Sequence, residues 1–362
     1  MSRDKCYLPD ITRSKSFKTF VKKADQKIGY QISKHSIPEW WLETQGEDIT
    51  IAVLDTGYTE HVDLKDSVIA GFNFHDDNDT MTDVDSHASF CTGIITANNN
   101  DIGIVGVAPK AKVLAIKVLG DEGWGYVDSV ARGIEYAIEK KVDIINMSLG
   151  SEEPDELTEA AVKKAYAANI PIICASGNSG NIGALDFPAR YPETISVGAL
   201  NDQNIRAEFS QTGTNLDFMA PGVDILSTVP INQYAVYSGT SFSSPWIAGV
   251  VALMLSKHRT KGGTTPINNV EDVREHLKKA AIDMGPEGRD PMTGFGLIDV
   301  RKLIKNGENI MDELAAKFNE WIADQKALDG QIQNAENALS QLQNQKTAGE
   351  EKAQQILVIL NS

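Results

Sequence analysis

The chain has 362 residues, 41% of them hydrophobic, and 50 acidic against 34 basic side chains give a net charge of −16. This suits one large core with an appendage and argues against nucleic acid as the main partner. No apolar run approaches membrane length and none follows the first five residues, so neither a transmembrane span nor a signal peptide is expected.

Residues 1–24 form a basic leader, with Arg3, Lys5, Arg13, Lys15, Lys18, Lys22 and Lys23 against Asp4 and Asp10. Such a charge run reads by itself as a solvated arm. Alternating patterns follow. Strands are predicted at residues 49–55, 112–118, 142–148, 170–175 and 195–200. Helices are predicted at 87–97, 127–140, 157–168, 241–258, 270–281 and 300–305, and residues 259–265 read as a polar loop. Strands alternating with helices imply a parallel sheet covered on both faces. The three cysteines are an odd number and make no disulfide framework. A reducing, cytoplasmic setting is expected, with Cys91 and Cys174 in the core and Cys6 exposed in the leader.

Four stretches carry chemistry. The run 50–54 ends in Asp55-Thr56-Gly57, an acid at the carboxyl end of a buried parallel strand. Ser86-His87-Ala88-Ser89-Phe90-Cys91 opens a small-residue helix with a histidine. Gly177-Asn178 follows the strand 170–174, and Gly239-Thr240-Ser241 leads into an apolar helix. A serine at a helix start can attack a carbonyl, and its own N–H can hold the resulting oxyanion. Each residue also has a plain structural reading: Ser241 as a helix cap, His87 as a core histidine, Asn178 in a turn.

Taken together, in the order Asp, His, Asn, Ser, these motifs resemble the subtilisin-type serine proteases, and the intracellular subtilisins most. The match runs from about Asp25 to about Ile304. It implies a three-layer α/β catalytic domain over 25–305. Ser241 would be the nucleophile, His87 the base and then acid, Asp55 its orienting partner, and Asn178 an oxyanion donor. Peptide substrate would add a strand between Ser148-Leu149-Gly150 and Gly123-Trp124-Gly125. The resemblance places Asp186 at the base of the pocket for the residue before the cut bond (P1), implying a preference for Lys or Arg. It also implies a cis bond at Phe187-Pro188 and a structural Ca²⁺. Carbonyls of Asn98, Ile102 and Ile104 with side chains of Asn100, Asp63 and Gln26 would hold that ion. The leader's Tyr7-Leu8-Pro9-Asp10-Ile11 resembles, in place though not in motif order, an inhibitory extension that makes the chain a zymogen. Two further departures are Phe90 and Trp246, where the family carries histidines; both become aromatic, which suggests that they compensate in packing.

Residues 306–362 lie outside the resemblance. Leu314, Phe318, Trp321, Gln325, Leu328, Ile332, Ala335, Leu339 and Leu342 recur at three- and four-residue steps; Lys346 and Gly349 interrupt, and Ala353, Ile356 and Leu360 resume. This heptad stripe predicts a coiled coil between chains, making a homo-oligomer, or a helix packed on its own domain. Partners are therefore protein or peptide substrates, with no nucleic acid and no membrane. The competing function is a catalytically silent scaffold that binds peptides or assembles through the tail.

Overall fold

The computed structural model describes residues 4–17, 26–261, 266–304 and 331–334, with single positions at 338, 339, 343, 346, 349, 352, 353 and 357. In chain order the strands are β1 (Lys5–Tyr7), β2 (Thr12–Phe17), β3 (Thr50–Asp55), β4 (Val68–Asn73), β5 (Lys112–Lys117), β6 (Trp124–Tyr126) and β7 (Ile144–Met147). They continue with β8 (Ile172–Ala175), β9 (Ile195–Leu200), β10 (Phe218–Pro221), β11 (Ile225–Val229), β12 (Gln233–Ser238), β13 (Ala281–Ile282) and β14 (Leu297–Ile298). The helices are α1 (Tyr30–Ser33), α2 (Ile37–Trp40), α3 (His87–Thr96), α4 (Val127–Glu139), α5 (Glu156–Ala167), α6 (Thr240–Lys261), α7 (Val270–Ala280) and α8 (Val300–Ile304).

The central sheet runs β13-β14-β10-β9-β8-β7-β3-β5-β4, parallel except for β13 at one edge. Alternation along each strand divides the core in two. Ile51 and Val53 of β3 join α3 and α6 on one face, while Ala52 and Leu54 join α4 and α5 on the other. This is the three-layer arrangement the strand and helix alternation predicts. Helix α6 extends to Lys261, beyond the predicted end at 258, where Arg259 is tied to Asp48 O and the Asp143 carboxylate. Residues 262–265 of the predicted loop lie outside the described residues. The strands β4, β10, β11 and β12 carry no prediction. Gly71 interrupts β4, and β11 with β12 forms a short hairpin off the main sheet.

The peptide bond between Phe187 and Pro188 is cis. Phe90 packs on the rings of Tyr237 and Phe242, at 4.6 and 4.5 Å between centroids. Trp246 instead meets His35 edge to face at 5.5 Å and donates Nε1–H to Gln31 O. The two aromatic departures are thus accommodated by different neighbours rather than by each other. Among the described residues no helix is long and apolar enough to cross a membrane.

The leader is not a free arm over residues 4–17. Strand β1 pairs antiparallel with β6, and β2 pairs antiparallel with β12. Cys6, expected to be exposed, is only 5% exposed and donates Sγ–H to Gly150 O, because β1 presses it into the face of the core beside Leu149.

Residues 307–362 form a separate unit. Its described positions are helical, and Ile332, Leu339 and Leu357 are exposed. Leu314, Phe318, Trp321, Gln325, Leu328, Ala335, Leu342, Ile356 and Leu360 lie outside the described residues.

Candidate active site

The loops after parallel strands gather at their carboxyl ends, and ligands of such sheets bind there. Asp55 is the last residue of β3, fully buried. One carboxylate oxygen accepts the Thr56 N–H at 2.7 Å, and both lie 2.9 Å from His87 Nδ1. His87 is the first residue of α3 and is also fully buried. Burial alone would keep the imidazole neutral, but the Asp55 carboxylate and, after it, the Cys91 sulfur together outweigh burial and lift His87 well above its ordinary value. Its Nε2 has no hydrogen-bond partner.

Ser241 is the second residue of α6. Its Oγ donates to Ser148 O at 3.3 Å, turned away from His87. Pro245 lies one turn on, and having no N–H it leaves Ser241 O free of the helix ladder. Ser148 Oγ and Cys91 Sγ donate to that carbonyl, at 2.8 and 3.4 Å. Cys91 is buried as expected, yet its sulfur lies 3.9 Å from His87 Nδ1. Asn178 Oδ1 accepts from Thr240 N and Oγ1, at 2.8 and 2.7 Å, which fixes its amide and aims Nδ2 into the cleft. A Cβ at Gly239 would come within 3.1 Å of that Nδ2, so a larger residue here would crowd the amide.

Two further residues hold the site. Asp83 is 1% exposed and accepts from Thr56 Oγ1, Ser86 N, Ser89 N and Ser89 Oγ, at 2.6 to 2.9 Å. It ties the end of β3 to the start of α3. Lys117, 3% exposed, donates Nζ–H to Thr56 O at 2.6 Å and pairs with Asp121. Sequence reasoning missed both. The signal for Asp83 was its place four residues before His87; Lys117 ends an apolar strand, where a lysine is out of pattern.

The leader crosses this cleft. Tyr7 exchanges both backbone hydrogen bonds with Gly150 at 2.9 Å, and Leu8 N donates to Gly123 O at 2.9 Å. Trp124, paired with Tyr7, carries the Lys5 ammonium 3.8 Å from its ring centroid. Further on, Asn178 Nδ2 donates to Asp10 O at 2.8 Å. Asp186 lies beneath, 9% exposed, with Oδ1 accepting from Gln211 Nε2 at 2.9 Å. A Cβ at Gly177 would meet its Oδ2 at 2.6 Å, and one at Gly150 its Cβ at 3.0 Å, so the carboxyl sits between Gly150 and Gly177. Burial pushes this carboxyl up, partly offset by Gln211. Arg190 turns elsewhere, donating to Leu185 O and lying over the Phe187 ring.

The loop 98–104 forms a second centre. Carbonyls of Asn98, Ile102 and Ile104 converge on Gln26 Nε2 at 2.7, 3.3 and 2.9 Å. Asn100 Oδ1 accepts the Ile102 N–H. Asp63 Oδ2 accepts from Ile104 N and Tyr234 OH, whereas its Oδ1 is buried with no partner. Burial pushes the Asp63 carboxyl up to about 6 against those hydrogen bonds. Three carbonyls, the Asn100 amide oxygen and an unpartnered buried carboxylate oxygen fit a hard cation; Gln26, which turns its Nε2 to the carbonyls, would join that set only with its amide oxygen turned in instead.

A sequence model of the subtilase family matches residues 46–296. An intracellular serine protease of Paenibacillus polymyxa is 46% identical over 226 residues, covering 60% of this chain and 69% of its own. Subtilisin Savinase of Lederbergia lenta is 40% identical over 254 residues, 70% of this chain and 90% of its own. The minor extracellular protease Epr of Bacillus subtilis is 36% identical over 305 residues, 84% of this chain but 45% of its own.

Proposed function

Because the chain belongs to the subtilase family, it is a serine endopeptidase, and we propose that Ser241, His87 and Asp55 perform the hydrolysis and that the leader holds them dormant. Ser241 Oγ attacks the carbonyl carbon while His87 Nε2 takes its proton. Asn178 Nδ2 and the Ser241 N–H hold the oxyanion. His87 then gives the proton to the leaving amine, and an ester on Ser241 remains. Water attacks that ester by the same proton path and frees the acid.

One observation carries the reading. A polypeptide strand lies in the cleft, laddered to Gly150, with a carbonyl 2.8 Å from the Asn178 amide. The cleft is thus shaped for extended polypeptide, as strand addition requires. The same strand explains dormancy. Tyr7 and Gly150 are a hydrogen-bonded antiparallel pair, so the next such pair is residue 9 with Ser148. Pro9 has no N–H to give. Ser148 O takes the Ser241 hydroxyl instead, which draws the nucleophile off His87. The carbonyl at Asn178 belongs to Asp10, one residue later than the ladder calls for. The strand fills the cleft without presenting a cleavable bond in register.

Asp186 supports a preference for Lys or Arg at P1, since a carboxylate set between cleft walls is relieved by a cation. Gln26, Asp63, Asn98, Asn100, Ile102 and Ile104 would hold Ca²⁺, which would lend stability to the folded state. The name of the Paenibacillus polymyxa relative and three unbridged cysteines support a cytoplasmic place of work.

The test is labelling by a serine-directed fluorophosphonate, with the N-terminus followed by mass, with and without calcium. Labelling is expected to rise as the leader is lost and to vanish in Ser241→Ala. Leader loss with no labelling would instead favour a silent peptide-binding scaffold.

A further inference from the structure

The leader's downstream half occupies a feature that the reaction above does not use. Counting from the carbonyl at Asn178, Ile11, Thr12 and Arg13 are the first, second and third residues beyond the bond position. Thr12 pairs with Ser238 and Arg13 with Tyr237, along the edge of β12. Arg13 Nη2 lies 2.8 and 2.9 Å from the two Asp85 carboxylate oxygens, and its guanidinium carbon is 5.9 Å from the Tyr237 ring centroid. The Asp85 side chain is 12% exposed, and among the described residues no other donor is within hydrogen-bonding distance of it.

Asp85 is rigidly placed. It stands two residues before His87, between Asp83 and Ser86, whose N–H the Asp83 carboxylate holds. When the leader departs, the β12 edge loses its strand and Asp85 loses its cation together. A fixed carboxylate that has lost its cation beside an aromatic ring is best served again by a guanidinium, which can meet both.

We propose that Asp85 and Tyr237 form a recognition site for an arginine side chain on the third residue downstream of the cut bond, in a polypeptide that adds a strand to β12. Arginine is favoured over lysine because a planar guanidinium serves both the carboxylate and the ring. This rests on the endopeptidase reading above.

Two measurements test it. The first needs no activity. In the full chain carrying Ser241→Ala, amide hydrogen exchange of residues 11–13 is compared in Arg13→Gln, Asp85→Asn and both together. Each single change is expected to speed exchange about fivefold, and the pair no further, as for partners in one interaction. Additive effects, or none, overturn the pairing. The second uses the chain after incubation with calcium, once its mass shows the leader cut. Peptides identical except for Arg, Lys or Gln at the third downstream residue are compared. kcat/KM for Arg over Gln is expected at about fivefold, falling to about one in Asp85→Asn. Full hydrolysis with no such ratio overturns this inference alone, as does a ratio that follows the residue upstream of the bond instead. No hydrolysis of any peptide refutes the endopeptidase reading and this inference with it.

Discussion

His87 sits where two forces oppose. Burial disfavours its charged form, and the Asp55 carboxylate at 2.9 Å, joined by Cys91, favours it more in sum, so its pKa is raised. A raised value means that stability from the charged pair is present below pH 6.5 and is lost as pH rises through the folded value. Catalysis has the opposite demand, since only neutral imidazole accepts the serine proton. kcat/KM is therefore expected to rise with pH through a midpoint above 6.5, and Asp55→Asn to lower the midpoint along with the rate. A wild-type midpoint below that value in a pH–rate profile would contradict the arrangement. We propose that Asp186 acts on selection instead. Peptides with Lys at P1 are expected to exceed those with Leu, and Asp186→Asn to reduce that preference on the order of tenfold or more. An unchanged ranking in the same peptide panel would remove Asp186 from specificity.

At the scale of elements, the leader strand turns on one missing N–H. Pro9→Ala restores a donor for Ser148 O and frees the Ser241 hydroxyl for His87. Self-cleavage near residues 9–11, read by mass, is expected to quicken roughly fivefold; a slower or unchanged rate would mean that Pro9 is not what disarms the serine. The loop 98–104 gives a second prediction. Chelation of calcium is expected to lower Tm by roughly 10 °C in a melting scan, and coincident curves would leave that loop without a metal. These two elements differ in how far they were legible in the sequence. Apolar β-branched runs mark β3, β5 and β9, and the acid, histidine, amide and serine lie in local motifs beside strand or helix ends. The burial of Cys6, the pairing of β2 with β12 and the hold of Lys117 on Thr56 depend on residues far along the chain. Nothing in a local pattern records such pairings.

The whole molecule joins a catalytic unit to residues 307–362, in which the described stripe residues Ile332 and Leu339 are exposed. A narrow apolar stripe of this kind is the seam of a coiled coil, and we propose that it draws chains together. Light scattering is expected to give an oligomer for the full chain and a monomer for a chain ending at Gly307; equal monomeric masses would rule this out. Assembly has a bearing on the leader as well. While the leader is tethered, it meets its own cleft at an effective concentration on the order of millimolar. Cutting the tether lets that local excess fall to the bulk concentration, but breaks no contact along β6, Gly150 or β12. On the proposed reading, the severed strand would then behave as an ordinary competitive ligand, shared among neighbouring clefts where chains are gathered and lost where they are sparse. Severing sets the leader free to leave, and dilution decides when it does.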